Sequence, residues 1–487
     1  MPIAAVLLPA GAGALAFLLR STPARRALLV LTAVLHTAIV GSWWLARPAP
    51  VLGEWIGVDA LGLIVITIAS VLFLVASIYA VGYLAREGEG VRPDFFERGR
   101  LFANEPEAVF IGALLFFLAA MSLTAVAHHF GLVWVAIEAT TLTSAPLLYF
   151  HRHERSLEAT WKYLVIGSVG IAVALLGTFF LAAAALTGGV TGTALVESYT
   201  RLAGLLNAGW LKAAFIAFLV GYGTKVGLAP MHTWLPDAHS EAPSVVSALL
   251  SGALLNTAFL GILRLLQVMT AAGLGDYARE LLLLFGFTSM AVAAAFIVAQ
   301  RDYKRMLAYS SVEHMGIIAT GVAMGGAGVF GAMLHEVNHS VAKALLFLVA
   351  GNILGAYQTK EVGDVRGLKR RLPISGALWF AGFLAITGTP PFGAFLSEFT
   401  ILRAAIEGGR WLVTAWYLGL LGVVFVGMAA VFIGMTQGPS AHPREREAWL
   451  AVLPSAVLAV IALTLGVYVP GALAAVAHEA ARSIGGA

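Results

Sequence analysis

Apolar stretches of about twenty residues recur from one end of this chain to the other, and they restrict its fold more than any other feature. A helix of that length is about 30 Å long, which is the thickness of the hydrocarbon core of a bilayer. Only 11% of the 487 residues are charged, whereas about a quarter are charged in a soluble domain. The sequence therefore predicts an all-α, polytopic membrane protein, and its small positive net charge does not indicate nucleic-acid binding.

The polar breaks between the apolar stretches predict about fourteen transmembrane helices. These spans lie near residues 2–19, 27–46, 60–84, 106–127, 128–150, 160–186, 208–229, 245–268, 281–299, 304–325, 330–356, 374–404, 411–436 and 447–476. The first span has no basic region before it, so we expect a membrane helix there and not a removable signal peptide.

Lys and Arg are concentrated in the loops that follow odd-numbered spans, such as those at Arg98, Arg305 and Arg370. Short loops rich in Lys and Arg remain on the cytoplasmic side of a membrane. We therefore expect a multi-pass protein of a prokaryotic cytoplasmic (inner) membrane, with both termini on the non-cytoplasmic side.

The chain contains no cysteine. This excludes disulfides, thiol nucleophiles and iron–sulfur clusters held by thiolates from this chain. We expect no cofactor and no resident metal here, so any redox centre must belong to a partner protein.

Two spans are expected to be interrupted. Pro230 lies where span seven should continue, and Pro390 lies inside span twelve, each close to glycines and to a charged residue. Proline frees backbone polar groups that lipid cannot satisfy, so such breaks persist where they are buried in protein or line water. A pair of broken helices is typical of transporters, whereas each break alone is also consistent with an ordinary proline kink.

Four charged residues lie inside predicted spans, namely Glu138, Lys225, Lys343 and Glu398. Holding an ionised group there costs at least about 2.5–3.5 kcal/mol on insertion scales, so each needs a partner, water or a proton. Static ion pairs that fix helix packing are one interpretation. A proton pathway is favoured, because a buried pair that forms and separates controls whether its members hold protons.

His335, His339 and Lys343 follow one another at intervals of four residues, which places them on one face of span eleven. Groups that accept and release protons one turn apart are what a proton relay requires. Histidines that are simply bonded to neighbouring helices are the alternative.

The same segment, His335-Glu336-Val337-Asn338-His339, matches the H-E-x-x-H pattern of zinc proteases. In such enzymes the two histidines bind zinc and the glutamate activates water. An intramembrane zinc metalloprotease is thus a remote alternative. It needs a third ligand, and no spacing selects one from the candidates His232, Asp237 and His314.

Four longer motifs resemble those of the antiporter-like membrane subunits shared by complex I, group 4 membrane-bound hydrogenases and multisubunit cation/proton antiporters. The motifs occupy residues 225–244, 309–316, 338–347 and 388–398. The resemblance extends roughly from Glu138 to Glu398. Within it, His-Ser-Glu-Ala-Pro-Ser at 239–244 and Ser-Gly-Ala-Leu-Leu-Asn at 251–256 are most similar to component F of hydrogenase-4 and formate hydrogenlyase-type complexes.

The resemblance implies two inverted five-helix repeats, each containing one broken helix. Residues 1–105 would then form N-terminal helices one to three and residues 106–268 the first repeat. Residues 281–436 would form the second repeat, and residues 447–487 the C-terminal helix.

The resemblance also implies a proton relay through Glu138, Lys225, Lys343 and Glu398, with His335 and His339 on a central hydrated axis. The expected supporting residues are His232, Asp237, His239, Asn256, Pro230 and Pro390. Asn256 and Ser251 lie where several relatives carry a titratable Lys or His in span eight, so either water bridges the relay there or this subunit conducts protons poorly.

The implied function is proton translocation, coupled to redox chemistry in partner subunits. The expected partners are other antiporter-like and quinone-module-like membrane subunits, membrane lipid, and a nickel–iron hydrogenase or related iron–sulfur peripheral arm. A subunit of a multisubunit cation (Na⁺)/proton antiporter is the alternative that the same residues would serve.

Overall fold

The computed structural model describes residues 1–87, 91–93, 101–192, 194–440 and 443–486. Within these ranges, eleven helical segments are long and apolar enough to cross a membrane, and two further apolar helices are shorter. The chain is therefore a helical, multi-pass membrane protein, as predicted. The count of fourteen spans and the inverted repeats remain predictions.

Twenty α-helices and one small hairpin form the described part of the chain. The helices are α1 (Ala4–Leu18), α2 (Thr22–Ser42), α3 (Ala60–Glu87), α4 (Glu107–Val126), α5 (Phe130–Leu148), α6 (Glu154–Thr187), α7 (Val196–Arg201), α8 (Ala208–Val226), α9 (Trp234–Glu241), α10 (Ser244–Leu249), α11 (Leu255–Ala271), α12 (Gly275–Val298), α13 (Tyr303–Met324), α14 (Gly326–Tyr357), α15 (Leu368–Arg371), α16 (Pro373–Ile386), α17 (Gly393–Glu407), α18 (Trp411–Thr436), α19 (Trp449–Val467) and α20 (Gly471–Ser483). Strands β1 (Val91–Pro93) and β2 (Leu101–Ala103) pair antiparallel, and a π-helical turn, Leu250–Leu254, joins α10 to α11.

Local sequence sets several helix starts outside the apolar runs. The Asn207 side chain accepts hydrogen bonds from the backbone N–H groups of Gly209 and Trp210 at the start of α8. At the start of α6, His153 and Ser156 bond to each other's backbone N–H groups. Such caps satisfy N–H groups that have no partner inside the helix. They explain why span six begins at Glu154 and not near residue 160 as expected.

The last predicted span is shorter than expected. The apolar run at 447–476 divides into α19, which ends at Val467, and the separate helix α20, which begins at Gly471 after Pro470. A proline has no N–H to continue the helix and favours an extended residue before it. Helix α20 packs against α3 and α14.

The helix is interrupted between α8 and α9, at the place that Pro230 predicted. Gly227 ends α8 in the left-handed region at φ +79°, where glycine has no Cβ penalty. The freed backbone groups find partners inside the protein. The Trp234 indole donates to the carbonyl of Thr224 at 2.7 Å, and the N–H of Ala229 donates to the Ser289 hydroxyl at 2.9 Å.

A second break separates α16 from α17, where Pro390 predicted it. Gly388 has φ +58°, and the Asn338 amide donates to the carbonyl of Gly393 at 2.8 Å. Both breaks thus satisfy the rule that irregular backbone at membrane depth is held by protein.

Helix α14 lies at the centre of the second half of the chain. It packs against α3, α13, α16, α17 and α19. Most of its side chains are buried, including His335, His339 and Lys343. Since neighbouring helices surround it, these three polar residues face protein and not lipid.

Candidate functional site

Lys225 occupies the last turn of α8, immediately before the first break. Its fully buried ammonium donates hydrogen bonds to the hydroxyls of Thr141 and Tyr163, each at 2.9 Å. The Thr141 hydroxyl donates in turn to Glu138 at 3.0 Å. Glu138 and Lys225 are therefore linked through one hydroxyl, a group that can accept from an ammonium and donate to a carboxylate at the same time.

Glu138 lies at the lateral surface of the bundle. It is half-buried, and the exposed Ser168 of α6 donates to it at 3.4 Å. Val135 and Leu142, one turn before and after it on α5, are 50% and 62% exposed. A carboxylate is thus placed in the middle of an apolar, outward-facing stripe.

Lys343 is the buried cation of the second half. Its ammonium donates to the carbonyl of Leu307 at 2.7 Å and to the hydroxyl of Ser310, both on α13. Glu313, one turn further along α13, is the acidic residue whose charge acts on Lys343. The cation is thus held by neutral groups, with a carboxylate close by.

Three imidazoles form a stack between α13 and α14. The ring of His314 lies 5.1 Å from that of His335 and 5.2 Å from that of His339, measured between centroids. Nδ1 of His314 and Nε2 of His335 share a hydrogen bond of 2.8 Å. The other nitrogen of His335 bonds to the Ser397 hydroxyl at 2.9 Å. This stack carries proton-binding groups from α14 toward α17.

Glu398 lies one residue beyond Ser397 on α17 and is 8% exposed. One oxygen of its carboxylate and one nitrogen each of His314 and His335 lie within 4.8 Å of one another. Gly388 of the second break lies directly against this carboxylate. Glu398, His335 and His339 therefore share one buried polar cluster at the break.

Asn256 lies beside the π-helical turn and is fully buried. Its amide donates to the hydroxyl of Ser340 at 2.7 Å and to the backbone carbonyl of Glu336 at 3.3 Å. Its carbonyl oxygen has no partner among the described residues. The residue thus connects α11 to α14 and leaves one acceptor available.

The supporting residues of the first motif do not form one group. His239 is buried with both ring nitrogens unpaired in the described structure, and it stacks on Phe347 at 5.1 Å. His232 has one unpaired nitrogen. Asp237 instead forms ion pairs with Lys162 at 2.9 Å and Arg305 at 3.0 Å. Asp237 is therefore part of a charge network at the end of the bundle.

A cavity of about 710 Å³ opens beside His239. Its lining includes Glu241, Lys304 and Lys360. The Lys360 ammonium donates to Glu241 at 2.6 Å, and that of Lys304 donates to the backbone carbonyl of Ala242 at 2.7 Å. The cavity therefore brings polar groups to within one residue of His239.

A smaller cavity of about 330 Å³ lies at the opposite end of the bundle. Arg264 borders it and donates twice to Asp59, while remaining only 1% exposed. The carboxylate thus holds the guanidinium inside the bundle. Burial, helped by the Arg264 guanidinium and opposed by the Asp59 carboxylate, lowers the pKa of the neighbouring His128 to about 4, so His128 is neutral at pH 7.

The H-E-x-x-H pattern does not assemble a protease-like zinc site. The group of possible metal ligands in the described residues contains His335 but replaces His339 by His314 and Glu398. Both nitrogens of His339 and one oxygen of Glu336 are buried without partners in the described structure. The remote protease alternative thus lacks its second histidine.

Sequence reasoning missed Glu313, Thr141 and Tyr163, and it considered His314 only as a zinc ligand. Glu313 and His314 stand in the quoted motif at 309–316 and inside span ten. Glu138 was identified by the free-energy cost of an ionised group inside a membrane span. The same argument would have identified Glu313. Hydroxyls such as Thr141 give no such signal, because they are common in transmembrane helices.

Residues 127–425 match the family model described as "NADH:quinone oxidoreductase/Mrp antiporter, TM". The chain belongs to this family. The resemblance found in the motifs is thus confirmed, and the chain is an antiporter-like membrane subunit.

Individual relatives agree with this assignment. The chain is 36% identical over 444 residues to the hydrogenase-4 component F homolog of Methylacidiphilum infernorum, with 89% of each chain covered. Its fold matches a chain of the archaeal membrane-bound sulfane sulfur reductase with a TM-score of 0.87 at 21% identity, covering 99% of this chain and 97% of that one. It also matches a chain of respiratory complex I from Thermus thermophilus, with a TM-score of 0.81 at 26% identity and full coverage of both.

Proposed function

We propose that this antiporter-like subunit moves protons across a prokaryotic inner membrane within an energy-converting complex. The observation that carries the proposal is a pair of polar groupings inside the membrane part, one in each half of the chain. The first contains Glu138, Thr141 and Lys225, and the second contains Lys343 and the histidine stack. Each is able to hold or pass a proton, and their burial in a membrane protein is too costly to be maintained for packing alone.

The proposed first step is an electrostatic switch at Thr141. When Glu138 takes up a proton, its negative charge disappears and Lys225 loses its counter-charge. Unit charges about 4 Å apart interact by about 4 kcal/mol at an effective dielectric near 20. The Thr141 hydroxyl separates Glu138 from Lys225 by more than that, so the loss is smaller, and it favours release of the proton from Lys225 toward the second half.

The exposed position of Glu138 supports a protein neighbour at that face. Lipid cannot solvate a carboxylate, and intramembrane charges accordingly face protein or water. A second antiporter-like or quinone-module-like membrane subunit would cover the stripe around Val135, Glu138 and Leu142. Redox chemistry would then reside in a hydrogenase-type or related iron–sulfur arm of the same complex.

We expect Glu138→Gln and Lys225→Ala each to abolish redox-driven proton uptake into vesicles that contain the reconstituted complex. A pH-sensitive dye measures the uptake, and the yield of assembled complex is measured in parallel. Neutral Gln is less costly than Glu in the membrane, so assembly should persist. Glu158→Gln is the matched control, because Glu158 is an exposed glutamate on α6 paired with Lys162.

The double variant should be little worse than either single one, since both changes remove the same switch. Normal pumping in either single variant would make the pair a structural feature. Exchange of Na⁺ for protons by the purified complex without any redox partner would instead support the cation/proton antiporter alternative.

A further inference from the structure

We propose that His314, His335 and Glu398 form a binding site for a divalent transition-metal ion of the zinc type, and that the bound ion blocks the pathway. Three donor atoms, two imidazole nitrogens and one carboxylate oxygen, lie within 4.8 Å of one another. All three residues are buried. The site differs from the H-E-x-x-H arrangement, since it takes only one histidine from that pattern. Its blocking effect rests on the proposed function, whereas metal binding does not.

The donor types select the class of ion. Two imidazole nitrogens and a carboxylate, with a fourth position left for water, are a frequent set of protein ligands for zinc. Na⁺ and Mg²⁺ prefer all-oxygen surroundings, so they are poorly served by this set. Zn²⁺, and Co²⁺ as its spectroscopic substitute, match the site best.

The hydrogen bonds around His335 already orient it as a ligand. Its Nδ1 bonds to the Ser397 hydroxyl at 2.9 Å, which directs Nε2 toward His314. Histidine ligands are commonly fixed in this way through their second nitrogen. An ion with Zn–N bonds of 2.0–2.1 Å would separate the two imidazole nitrogens to about 3.4 Å. They are now 2.8 Å apart, so the two rings must rotate away from each other. The Glu398 oxygen, now within 4.8 Å of both nitrogens, must also approach to complete the site.

The charges around the site favour a cation. The carboxylate of Glu398 accepts no hydrogen bond from the part of the chain that the structure describes, so its oxygens are available as ligands. Glu313 is a second carboxylate whose charge acts on Glu398. The opposing charge is the Lys343 ammonium, which acts on Glu313 and on His314. Two ionised carboxylates outweigh this one cation, and binding of the ion releases any proton that they hold.

The second break borders the site. Gly388 lies directly against the Glu398 carboxylate, so irregular backbone faces this ligand on one side. Once bound, the ion would occupy a nitrogen of His314 and of His335, and neither nitrogen would then carry a proton.

Cobalt binding to the assembled complex tests the metal site without any need for turnover. After treatment with a chelator, titration with Co²⁺ should give the strong visible absorption of a tetrahedral site at one ion per chain. His314→Ala and Glu398→Gln should each weaken binding at least about tenfold. Ser397→Ala should weaken it to a smaller extent, because it only releases the orientation of His335. His36→Gln is the matched control, since His36 is a buried histidine bonded to the Ser70 and Ser122 hydroxyls far from any carboxylate ligand.

Zn²⁺ inhibition of proton uptake tests the blocking effect. Zn²⁺ should slow uptake by the native complex and by His36→Gln at the same concentration, and a moderately higher concentration should be needed for Ser397→Ala. Weak absorption that is identical in every variant would show an adventitious ion only and would overturn the site. Tight cobalt binding without zinc inhibition of a pumping complex would overturn the blocking effect. A complex that fails to pump even without zinc would count against the proposed function, and the cobalt spectrum would still decide whether the site exists.

Discussion

At the scale of single residues, Thr141 determines how Glu138 and Lys225 communicate. Its hydroxyl accepts a hydrogen bond from the ammonium and donates one to the carboxylate. A direct ion pair would hold both charges tightly and would be costly to separate. One intervening hydroxyl weakens the attraction and provides an atom through which a proton can move.

Thr141→Val should keep the shape of the side chain and remove this link. Hydrogen bonds to charged groups contribute about 1.5–3 kcal/mol each, so we expect redox-driven proton uptake to fall about tenfold or more. Thr140→Val is the control, because the Thr140 hydroxyl donates to the carbonyl of Ile137 on its own helix. Equal uptake by the two variants, measured in vesicles at matched complex content, would remove Thr141 from the pathway.

The residue scale also shows what the sequence was able to predict. The cost of burying charge identified Glu138, Lys225, Lys343 and Glu398 from single positions, and the structure buries three of them almost completely. The sequence did not reveal that His314 would lie between His335 and His339, because that contact joins α13 to α14. Helical spacing specifies neighbours along one helix, whereas contacts between helices depend on the packing of both.

At the scale of elements, the π-helical turn before α11 gives the span-eight segment its irregularity. The turn occupies Leu250–Leu254, and Asn256 follows it at the contact with α14. Turns of this kind are rare and are frequent at functional sites. The sequence indicated that a titratable group is missing at Asn256. It did not indicate the π-helical turn, since no proline or glycine pair marks that turn.

Asn256→Leu should impair proton uptake because an apolar side chain would dry this contact, whereas Asn256→Lys should be tolerated because it supplies a titratable group. Thr257→Val is the matched control, since the Thr257 hydroxyl bonds only within its own helix, to the carbonyl of Ala253. Wild-type uptake by Asn256→Leu, in vesicles with normal complex yield, would place the route elsewhere.

The two breaks were the elements that sequence predicted best. Pro230 and Pro390 mark them directly, and the structure interrupts the helices beside both. The boundaries of the last span were predicted less well. Pro470 separates α19 from α20 within what hydropathy alone presents as one apolar run, because a window average does not register a single missing N–H.

At the scale of the whole molecule, the distribution of basic residues predicts the direction of insertion. The loops expected to face the cytoplasm include those at Arg305 and Arg370, while the loop at Arg98 lies outside the described residues. Arg370 is exposed at one end of the bundle, and Glu197 is exposed near the smaller cavity at the other.

We expect Arg370→Cys to resist an impermeant thiol reagent in intact cells and to react after the membrane is opened, whereas Glu197→Cys should react in both. The chain lacks native cysteine, so labelling reports only the introduced site. Labelling of Arg370→Cys from outside intact cells would reverse the predicted orientation.

The outward position of Glu138 also has a consequence for the making of the complex. A copy that has been inserted but has no neighbour holds this carboxylate against hydrocarbon, at a cost of about 2.5–3.5 kcal/mol. That cost is a large part of the roughly 5–15 kcal/mol by which proteins are stable. Destabilised chains are the ones that cellular proteases remove. If a neighbour covers Glu138 as proposed, we expect orphan copies to be degraded faster than assembled ones, which would keep the subunits in equal numbers.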